Sequence, residues 1–300
     1  MHYEGNIIRP PSEANSILLQ ITVGCSRNTC TFCGTYAGER FRIKPDAVIM
    51  EDIAFAAAAC RRQRRVFLCD GDAIAIETDT LLTIIGKLYS TFPSLRHVGS
   101  YVGPQSTLSK SPAELRTLRK AGLTKAYIGV ETGDDALLKK VKKGVGYDEM
   151  LQAGQRLVEA DINLSAMVLL GLAGPGDACV RQALATARSC NEMKPQYLAA
   201  LTVTPVPGTV LYRQVQKGEF QLLDPFETLA EMKQIFEEFA REEIGHKAKI
   251  AQIKEEQSFD LPKEKVMALN IADYVAYPDV DENITYAEAL KVAMAREKAA

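Results

Sequence analysis

The sequence predicts an α/β fold in which short strands alternate with helices. Six apolar stretches of strand length are each followed by a stretch in which apolar residues have helical spacing. Such alternation is typical of parallel βαβ units. Six units are too few for a closed eight-stranded barrel. A chain of 300 residues with 47% hydrophobic content therefore suits one α/β domain with a modest extension better than two equal domains.

The first part of the chain supplies four of these units. Residues 1–15 contain Pro10-Pro11 and predict an extended lead-in. The apolar run over 16–23 predicts the first strand, and the spacing over 45–61 predicts the first helix, with Pro45 near its first turn. Further strands are predicted over 65–70, 97–102 and 125–130, and further helices over 78–89, 112–121, 134–142 and 147–160.

The second part completes the core and then changes character. Two more strands are predicted over 162–170 and 196–203, with a helix over 177–191 between them. After Pro205 the pattern of alternation stops, and helices are predicted over 224–243, 263–277 and 285–298. We therefore divide the chain into a lead-in (1–15), a core (16–209) and a mainly helical C-terminal extension (210–300) that covers the barrel opening.

Charge and composition narrow the possible functions. The formal net charge is −2 and no basic tail is present, which disfavours extensive nucleic-acid binding but allows a local patch. The sequence has neither an apolar stretch of bilayer length nor a signal-like N-terminus, so we expect a cytoplasmic protein without a membrane partner. A reducing compartment also suits its seven cysteines.

Three of the seven cysteines, Cys25, Cys30 and Cys33, lie within nine residues, directly after the first predicted strand. Three thiolates in one loop indicate a metal or iron–sulfur site, and the lack of a fourth cysteine leaves one metal position open for a small molecule. The alternatives are a zinc site with a distant fourth ligand, or a disulfide with one free thiol. None of the three histidines has zinc-finger spacing relative to this loop.

The Cys-x4-Cys-x2-Cys spacing, with Phe32 before the last cysteine, resembles the cluster loop of radical S-adenosylmethionine (SAM) enzymes. The commonest spacing in that superfamily has three residues in the first gap, where this chain has four. The words GCSRNTCTFCGTY and LCDGDA are similar to the branch that includes anaerobic coproporphyrinogen oxidase and Elp3-like proteins. The resemblance implies a partial (β/α)6 TIM-like barrel and an oxygen-sensitive 4Fe-4S cluster, held by Cys25, Cys30 and Cys33, with SAM on its fourth iron.

The resemblance also implies SAM contacts near the first two strand ends. Phe32 would shield the cluster, or simply pack against apolar neighbours. Asp70, Gly71 and Asp72 stand where the superfamily binds the amino group of SAM, and Gly71 would let the backbone approach a ligand closely. The alternative for these three residues is a tight turn in which Asp72 caps a helix.

Three further contacts are implied farther along the chain. Glu131, after the fourth strand, would bind the ribose or the ammonium of SAM, or else form a salt bridge with a neighbouring base such as Lys142 or Lys143. Arg156 would neutralise the SAM carboxylate through a bidentate contact. Gly171, after the fifth strand, would pass close to the adenine, although a plain turn explains it nearly as well.

The sequence therefore predicts a radical SAM enzyme. It would cleave SAM reductively to a 5′-deoxyadenosyl radical that abstracts hydrogen from an unidentified, small-molecule substrate. A reductant such as flavodoxin or ferredoxin would supply the electron. The alternatives are a non-catalytic iron–sulfur carrier and a zinc-stabilised adaptor on the same fold.

Overall fold

The computed structural model describes residues 1–241. Its strands, in chain order, are β1 (Ile17–Gln20), β2 (Thr22–Val23), β3 (Arg42–Ile43), β4 (Arg65–Cys69), β5 (His97–Val102), β6 (Leu123–Glu131), β7 (Asn163–Leu170) and β8 (Tyr197–Thr202). Its helices are α1 (Asp46–Cys60), α2 (Thr78–Thr91), α3 (Pro104–Ser109), α4 (Pro112–Ala121), α5 (Asp135–Lys140), α6 (Tyr147–Glu159), α7 (Asp177–Met193), α8 (Val210–Gln216) and α9 (Pro225–Arg241).

Within residues 1–241, six strands form one parallel sheet in the order β1-β4-β5-β6-β7-β8. Each of these strands is followed by at least one helix, so the sheet is built from six consecutive βα units. In the described residues β1 and β8 are the two edges and do not pair with each other. This arrangement confirms the predicted α/β fold, a partial (β/α)6 TIM-like barrel.

Side chains alternate between the two faces of the sheet, as in any strand. On β6, Ala126, Ile128 and Val130 face the helices and belong to the main hydrophobic core, where each is completely buried. Lys125 and Tyr127 point to the opposite, inner face. We call the space enclosed by this inner face the lumen, and the edge where the parallel strands end its mouth.

Aromatic side chains fill one side of the lumen. The ring of Phe67 on β4 lies 5.0 Å from that of Tyr101 and 5.6 Å from that of Tyr127, with edge-to-face geometry in both pairs. This is the arrangement that aromatic pairs favour in a protein interior. The wall formed by β4, β5 and β6 is therefore packed by its own side chains.

The N-terminal segment also contributes to the lumen. The Tyr3 hydroxyl donates to the carbonyl of Leu18 at 2.7 Å, and Ile7 packs with Leu18 and Phe67. Glu13, in a short 3-10 turn over Pro11–Glu13, is fully buried at the end where the strands begin. The lead-in that the sequence predicts is thus packed against the sheet.

The predicted strand over 16–23 is divided in two. β1 belongs to the large sheet, whereas β2 pairs with β3 in a separate antiparallel ribbon. Between them, the carbonyl of Ile21 accepts a hydrogen bond from the Lys44 amide at 3.0 Å. That bond draws the chain away from β4, and the cysteine loop follows directly.

The extension begins with α8 and α9. α9 packs on α7 and β7, and its Met232, Ile235 and Phe239 join the main core. The predicted helix over 224–243 is confirmed as far as Arg241. The predicted helices over 263–277 and 285–298 lie outside the described residues, so coverage of the barrel opening remains a prediction. In residues 1–241 no helix has the length and hydrophobicity to cross a bilayer.

Candidate functional site

The loop between β2 and β3 carries Cys25, Cys30 and Cys33 at the mouth of the lumen. All three side chains are half-buried, and all seven cysteines of the chain are free thiols, so the structure shows no disulfide among them. The backbone of Thr31 fixes the loop to its neighbours. Its amide donates to the carbonyl of Val141 at 2.9 Å, and its carbonyl accepts from the Leu211 amide, at the start of α8, at 3.0 Å.

Asp70 holds the start of the cysteine loop. Its Oδ2 atom accepts hydrogen bonds from the Gly24 amide at 2.8 Å and from Gln20 Nε2 at 3.0 Å. Gly24 has φ +81°, a left-handed conformation that glycine adopts without strain. Burial raises the pKa of Asp70 above its ordinary value, and Oδ1 has no hydrogen-bond partner in the described residues. Asp70 therefore has one carboxylate oxygen available for a further donor.

Gly71 lies directly under the first cysteine. A Cβ atom on Gly71 would stand 2.6 Å from Cys25 Cβ and 3.0 Å from Cys25 Cα. Its amide donates to the Gly24 carbonyl at 3.0 Å. The sequence predicts a close approach at this glycine, and the structure shows one, but the approaching group is the cysteine loop.

Asp72 joins three strand ends. Its carboxylate accepts hydrogen bonds from the hydroxyls of Ser26 and Ser106 and from the Gly103 amide at 2.7 Å. It is 1% exposed. Burial raises its pKa, while these three hydrogen bonds act in the opposite direction. Asp72 stands at the N-terminus of a 3-10 turn but makes no side-chain capping bond there, so the capping alternative is wrong.

Glu131 and Lys143 form an ion pair at the mouth. Glu131 Oε1 and Lys143 Nζ are 2.6 Å apart, and the two side chains are 13% and 11% exposed. This confirms the salt bridge that the sequence offered as an alternative for Glu131. Burial acts to lower the pKa of Lys143, but Glu131 and the thiols of Cys30 and Cys25 outweigh it, so the net shift is upward. Lys143 therefore keeps a positive charge beside the cysteine loop.

The Cys30 thiol is poorly solvated. Burial raises its pKa to about 11, although Lys143 acts in the opposite direction. A thiol in such surroundings stays protonated in water at neutral pH. Coordination to a metal deprotonates a thiol outright, so Cys30 would become a thiolate here on binding a metal centre and not before.

Phe32 packs into a small apolar cluster beside the loop. It is half-buried, and its neighbours in the cluster are Leu137, Val141, Leu172, Val203 and Leu211. These side chains come from the segments that follow β6, β7 and β8. The packing role is therefore present in the structure, and Phe32 ties the cysteine loop to the far side of the mouth.

Arg156 does not lie at the mouth, which corrects the predicted contact with the SAM carboxylate. Its Nη1 atom donates to the carbonyls of Leu108 at 2.9 Å and Lys110 at 3.3 Å. It is nine residues beyond Tyr147, where α6 begins, which corresponds to roughly 13 Å along the helix axis. Its guanidinium satisfies carbonyls at the end of α3.

Gly171 directly follows β7 and has φ +77°. Its amide donates to Glu231 Oε2 on α9 at 2.6 Å. Glu231 is 2% exposed, and burial raises its pKa to about 7, against the hydrogen bonds from Gly171 and Cys179. The turn at Gly171 is thus held from outside the sheet by a carboxyl group of the extension.

The donor set suits an iron–sulfur cluster better than a single metal ion. In residues 1–241 no three or more His, Cys, Asp and Glu side chains are arranged to hold one metal ion. A 4Fe-4S cluster takes each thiolate on a separate iron, so its ligands need not converge on one point. Three half-buried free thiols of one anchored loop fit that requirement.

Sequence reasoning missed several residues of the site. Ser26 and Ser106 reach Asp72 from elements far apart in the sequence, with separations of 46 and 34 residues. A single serine has no local pattern that reveals such a partner. Glu231 lies on the amphipathic helix α9, and the spacing of the apolar residues around it would have indicated that it faces the core.

The comparisons with known proteins agree with this geometry. The family model of the radical SAM superfamily matches residues 19–187. The chain is 22% identical to the heme chaperone HemW of Bacillus subtilis (strain 168) over 173 residues, which are 57% of this chain and 45% of HemW. The chain therefore spans about half the length of this relative.

Solved structures share the fold. Coproporphyrinogen III oxidase (HemN) from Escherichia coli, a radical SAM enzyme, superposes with a TM-score of 0.55 at 13% identity, covering 76% of this chain and 52% of HemN. Methylornithine synthase (PylB) superposes with a TM-score of 0.53 at 16% identity, covering 74% of this chain and 62% of PylB. At these identities the likeness concerns the fold alone.

Proposed function

The chain belongs to the radical SAM superfamily, and from this premise we propose that it is an enzyme that cleaves SAM reductively at a 4Fe-4S cluster. Its substrate would be a small molecule bound in the lumen. When bound, the cluster and SAM supply a 5′-deoxyadenosyl radical that abstracts hydrogen from the substrate. The protein supplies the ligands, the placement of the reactants and the exclusion of water.

Cys25, Cys30 and Cys33 would be the cluster ligands, which leaves one iron for SAM. The observation that carries this assignment is the anchoring of the cysteine loop. Asp70 binds its first amide, Gly71 packs under Cys25, and Asp72 binds the hydroxyl of Ser26. A loop held in this way presents its thiols in a fixed arrangement.

Other residues at the mouth would receive SAM. The free Oδ1 of Asp70 and the Glu131–Lys143 ion pair offer one acceptor for an ammonium group and one cation for a carboxylate. Lys143 would take the role that the sequence assigned to Arg156, because the thiols of Cys30 and Cys25 act on its charge. Gly171 remains a proposed backbone contact for the adenine, and Phe32 a proposed shield for the cluster.

We also propose a reducing cytoplasmic setting and an electron donor such as flavodoxin or ferredoxin. The seven unpaired cysteines support the first part. The half-buried position of the cysteine loop supports the second, since the loop is still reachable from outside. Nucleic acid is not favoured as a partner, because the formal net charge of the chain is −2.

The test is anaerobic reconstitution with iron and sulfide, followed by addition of SAM and dithionite. We expect a brown protein that forms 5′-deoxyadenosine, measured by mass spectrometry. Cys25→Ser, Cys30→Ser and Cys33→Ser should each abolish product formation. Cys60→Ser is the matched control, because Cys60 is exposed at the end of α1, and it should retain full activity.

A second candidate is a non-catalytic role on the same fold, which the similarity to a protein named as a heme chaperone supports. Three results separate the candidates. A brown protein that forms no deoxyadenosine but binds added hemin would favour this second role, and one that does neither would favour an iron–sulfur carrier. A colourless protein with one tightly held zinc would favour the zinc-stabilised adaptor and contradict the proposed enzyme.

A further inference from the structure

Lys125 is a buried cation on the lumen side of β6. It is 6% exposed, and its Nζ atom lies 3.6 Å from the ring centroid of Tyr197 and 4.8 Å from that of Tyr127. In the part of the chain that the structure describes, no carboxylate oxygen lies within 4.0 Å of this atom. The amine is thus in contact with aromatic rings and with no carboxylate of the described residues, and such rings compensate only part of the cost of burial.

Within residues 1–241, the acidic group whose charge acts on Lys125 is Glu13, and it already has other partners. Glu13 raises the pKa of Lys125, but burial dominates and lowers it to about 8, so the amine remains mainly protonated at pH 7. Glu13 Oε1 lies 3.0 Å from Arg65 Nη2 and 2.9 Å from His97 Nε2, and it accepts from Tyr127. Glu13 is therefore paired with groups other than Lys125, and the amine at this end of the lumen, which we call its floor, has no carboxylate of residues 1–241 in contact.

The wall next to Lys125 is not filled by its own side chains. Phe67, Tyr101 and Tyr127 pack together on the β4–β6 side. On the opposite side Ser165 of β7 is buried, whereas the apolar residues on the lumen face of β7 and β8 are only half-buried, and these are Met167, Leu169, Tyr197, Ala199 and Leu201. Aliphatic, aromatic and thioether groups of this kind suit an apolar molecule.

We propose that the lumen binds an elongated organic acid whose carboxylate is held by Lys125 over Tyr197. A carboxylate monoanion matches the single charge of Lys125, whereas a phosphate dianion would bring a second buried negative charge that Lys125 does not match. Lys125 and Glu131 lie toward opposite ends of β6, because Lys125 precedes Glu131 by six residues, which is about 20 Å of strand. The carboxylate therefore belongs to the end of the molecule farthest from the cysteine loop, and its role as a substrate group rests on the proposed function.

Three probes of one shape test the charge preference directly: 1-naphthoate, 1-naphthamide and 1-naphthylmethylamine. Isothermal titration of the reconstituted protein at pH 7 should show naphthoate binding at least tenfold more tightly than the other two, because a charge-assisted contact forms with naphthoate alone. Lys125→Met should remove this preference, and Lys125→Arg should keep it. Lys120→Met, at an exposed position on α4, should behave like the unaltered protein.

Equal binding of the three probes, no binding of any of them, or an unchanged preference in Lys125→Met would each overturn the proposal. A melting temperature for Lys125→Met at or above that of the unaltered protein would show that the variant folds. Deoxyadenosine formation is measured separately on the unaltered protein. A failure there with the naphthoate preference intact would contradict the proposed radical SAM activity and leave the carboxylate site standing.

Discussion

Three consecutive residues in the turn after β4 position the cysteine loop, each through a different contact. Asp70 binds the backbone where the cysteine loop begins, Gly71 leaves room for Cys25, and Asp72 gathers two hydroxyls and one amide from other elements. Each contact involves a buried polar group or a close approach, so each is expensive to disturb. The placement of the thiols depends on all three.

Gly71→Ala should displace the cysteine loop, because the new methyl group would overlap Cys25. We expect a loss of stability on the order of 2 kcal/mol from the overpacking, and less than a tenth of the normal iron content after reconstitution. Urea unfolding and iron analysis measure the two effects. Gly86→Ala, on α2, is the control, because a Cβ atom built on Gly86 meets nothing within 4 Å. Alanine there should increase the free energy of unfolding by about 0.5–1 kcal/mol.

Asp72→Ala should leave the Gly103 amide and two serine hydroxyls without their acceptor. Unpaired buried donors of this kind cost about 1–3 kcal/mol each when no water reaches them, so a total loss of about 3 kcal/mol is expected in urea unfolding. The variant should also retain little iron. Asp79→Ala, at an exposed position on α2, should change stability by less than 1 kcal/mol, and equal effects of the two substitutions would contradict the role given to Asp72.

At this scale the sequence predicts which residues matter better than it predicts their partners. The three cysteines, Asp70, Gly71 and Glu131 all lie at the mouth as expected, because residues after parallel strands share one edge of the sheet. Arg156 was wrong, since helical position alone does not tell which end of the barrel a long side chain reaches. The Lys143 partner of Glu131 was among the bases that the sequence offered, whereas the hydroxyl partners of Asp72 come from distant elements that local patterns cannot specify.

At the scale of elements, the sequence predicts the repeating units well and the irregular joints poorly. Strands over 65–70, 97–102 and 162–170 and the helix over 112–121 match the structure to within a residue or two at each end, since apolar periodicity and caps define them. The break at Ile21 was missed, because an apolar run does not reveal where backbone hydrogen bonds change partner.

The start of α4 provides a direct measure of such a cap. The Ser111 hydroxyl accepts from the Glu114 amide, and Glu114 in turn accepts from the Ser111 amide at 2.8 Å. Ser111→Ala should therefore cost about 1 kcal/mol in urea unfolding. Ser90→Ala is the control, because the Ser90 hydroxyl donates to the Lys87 carbonyl within α2 and caps no helix start. Its substitution should lower the free energy of unfolding by only a few tenths of a kcal/mol. Equal losses would contradict the capping box.

The junction of β7 with α9 should make stability depend on pH. Because the pKa of Glu231 is about 7 in the folded protein against an ordinary 4.5, the folded state holds a proton that the unfolded state releases between these values. Stability should fall as pH rises from 4.5 to 7, by about 3 kcal/mol. The metal-free protein, unfolded in urea at pH 5 and pH 8, should show this loss.

Glu231→Gln should remove most of that difference, since an amide keeps an acceptor for Gly171 without a charge. Glu237→Gln, at an exposed position of the same helix, should leave it in place. A Glu231→Gln protein with an unaltered difference between pH 5 and pH 8 would show that another group is responsible.

At the scale of the whole molecule, two buried carboxyl groups with opposite shifts should set the pH of greatest stability. Burial opposes ionisation of Glu13, but His97, Ser16 and Tyr127 outweigh it and lower its pKa to about 2. Glu13 therefore stabilises the fold above pH 4.5, and that contribution, about 3 kcal/mol, is lost as pH falls toward 2. Combined with Glu231, this gives a maximum near pH 5.

Thermal unfolding of the metal-free protein between pH 2 and pH 9 should show this maximum. Asp70 and Asp72, whose pKa values are also raised by burial, should reinforce the decline on the alkaline side. Glu13→Gln should remove the loss of stability below the maximum, at acid pH, and leave the decline at higher pH unchanged. A stability that still increases from pH 5 to pH 8 would contradict the assignment.

The aromatic lining of the barrel has a practical consequence for spectroscopy. The chain contains 11 tyrosines and no tryptophan, so its intrinsic ultraviolet emission comes from phenol rings, and Tyr101, Tyr127 and Tyr197 are among those that face the interior. A guest that enters between the strands would alter the polarity around these fluorophores. The molecule thus carries its own optical reporter of occupancy, with no dye attached.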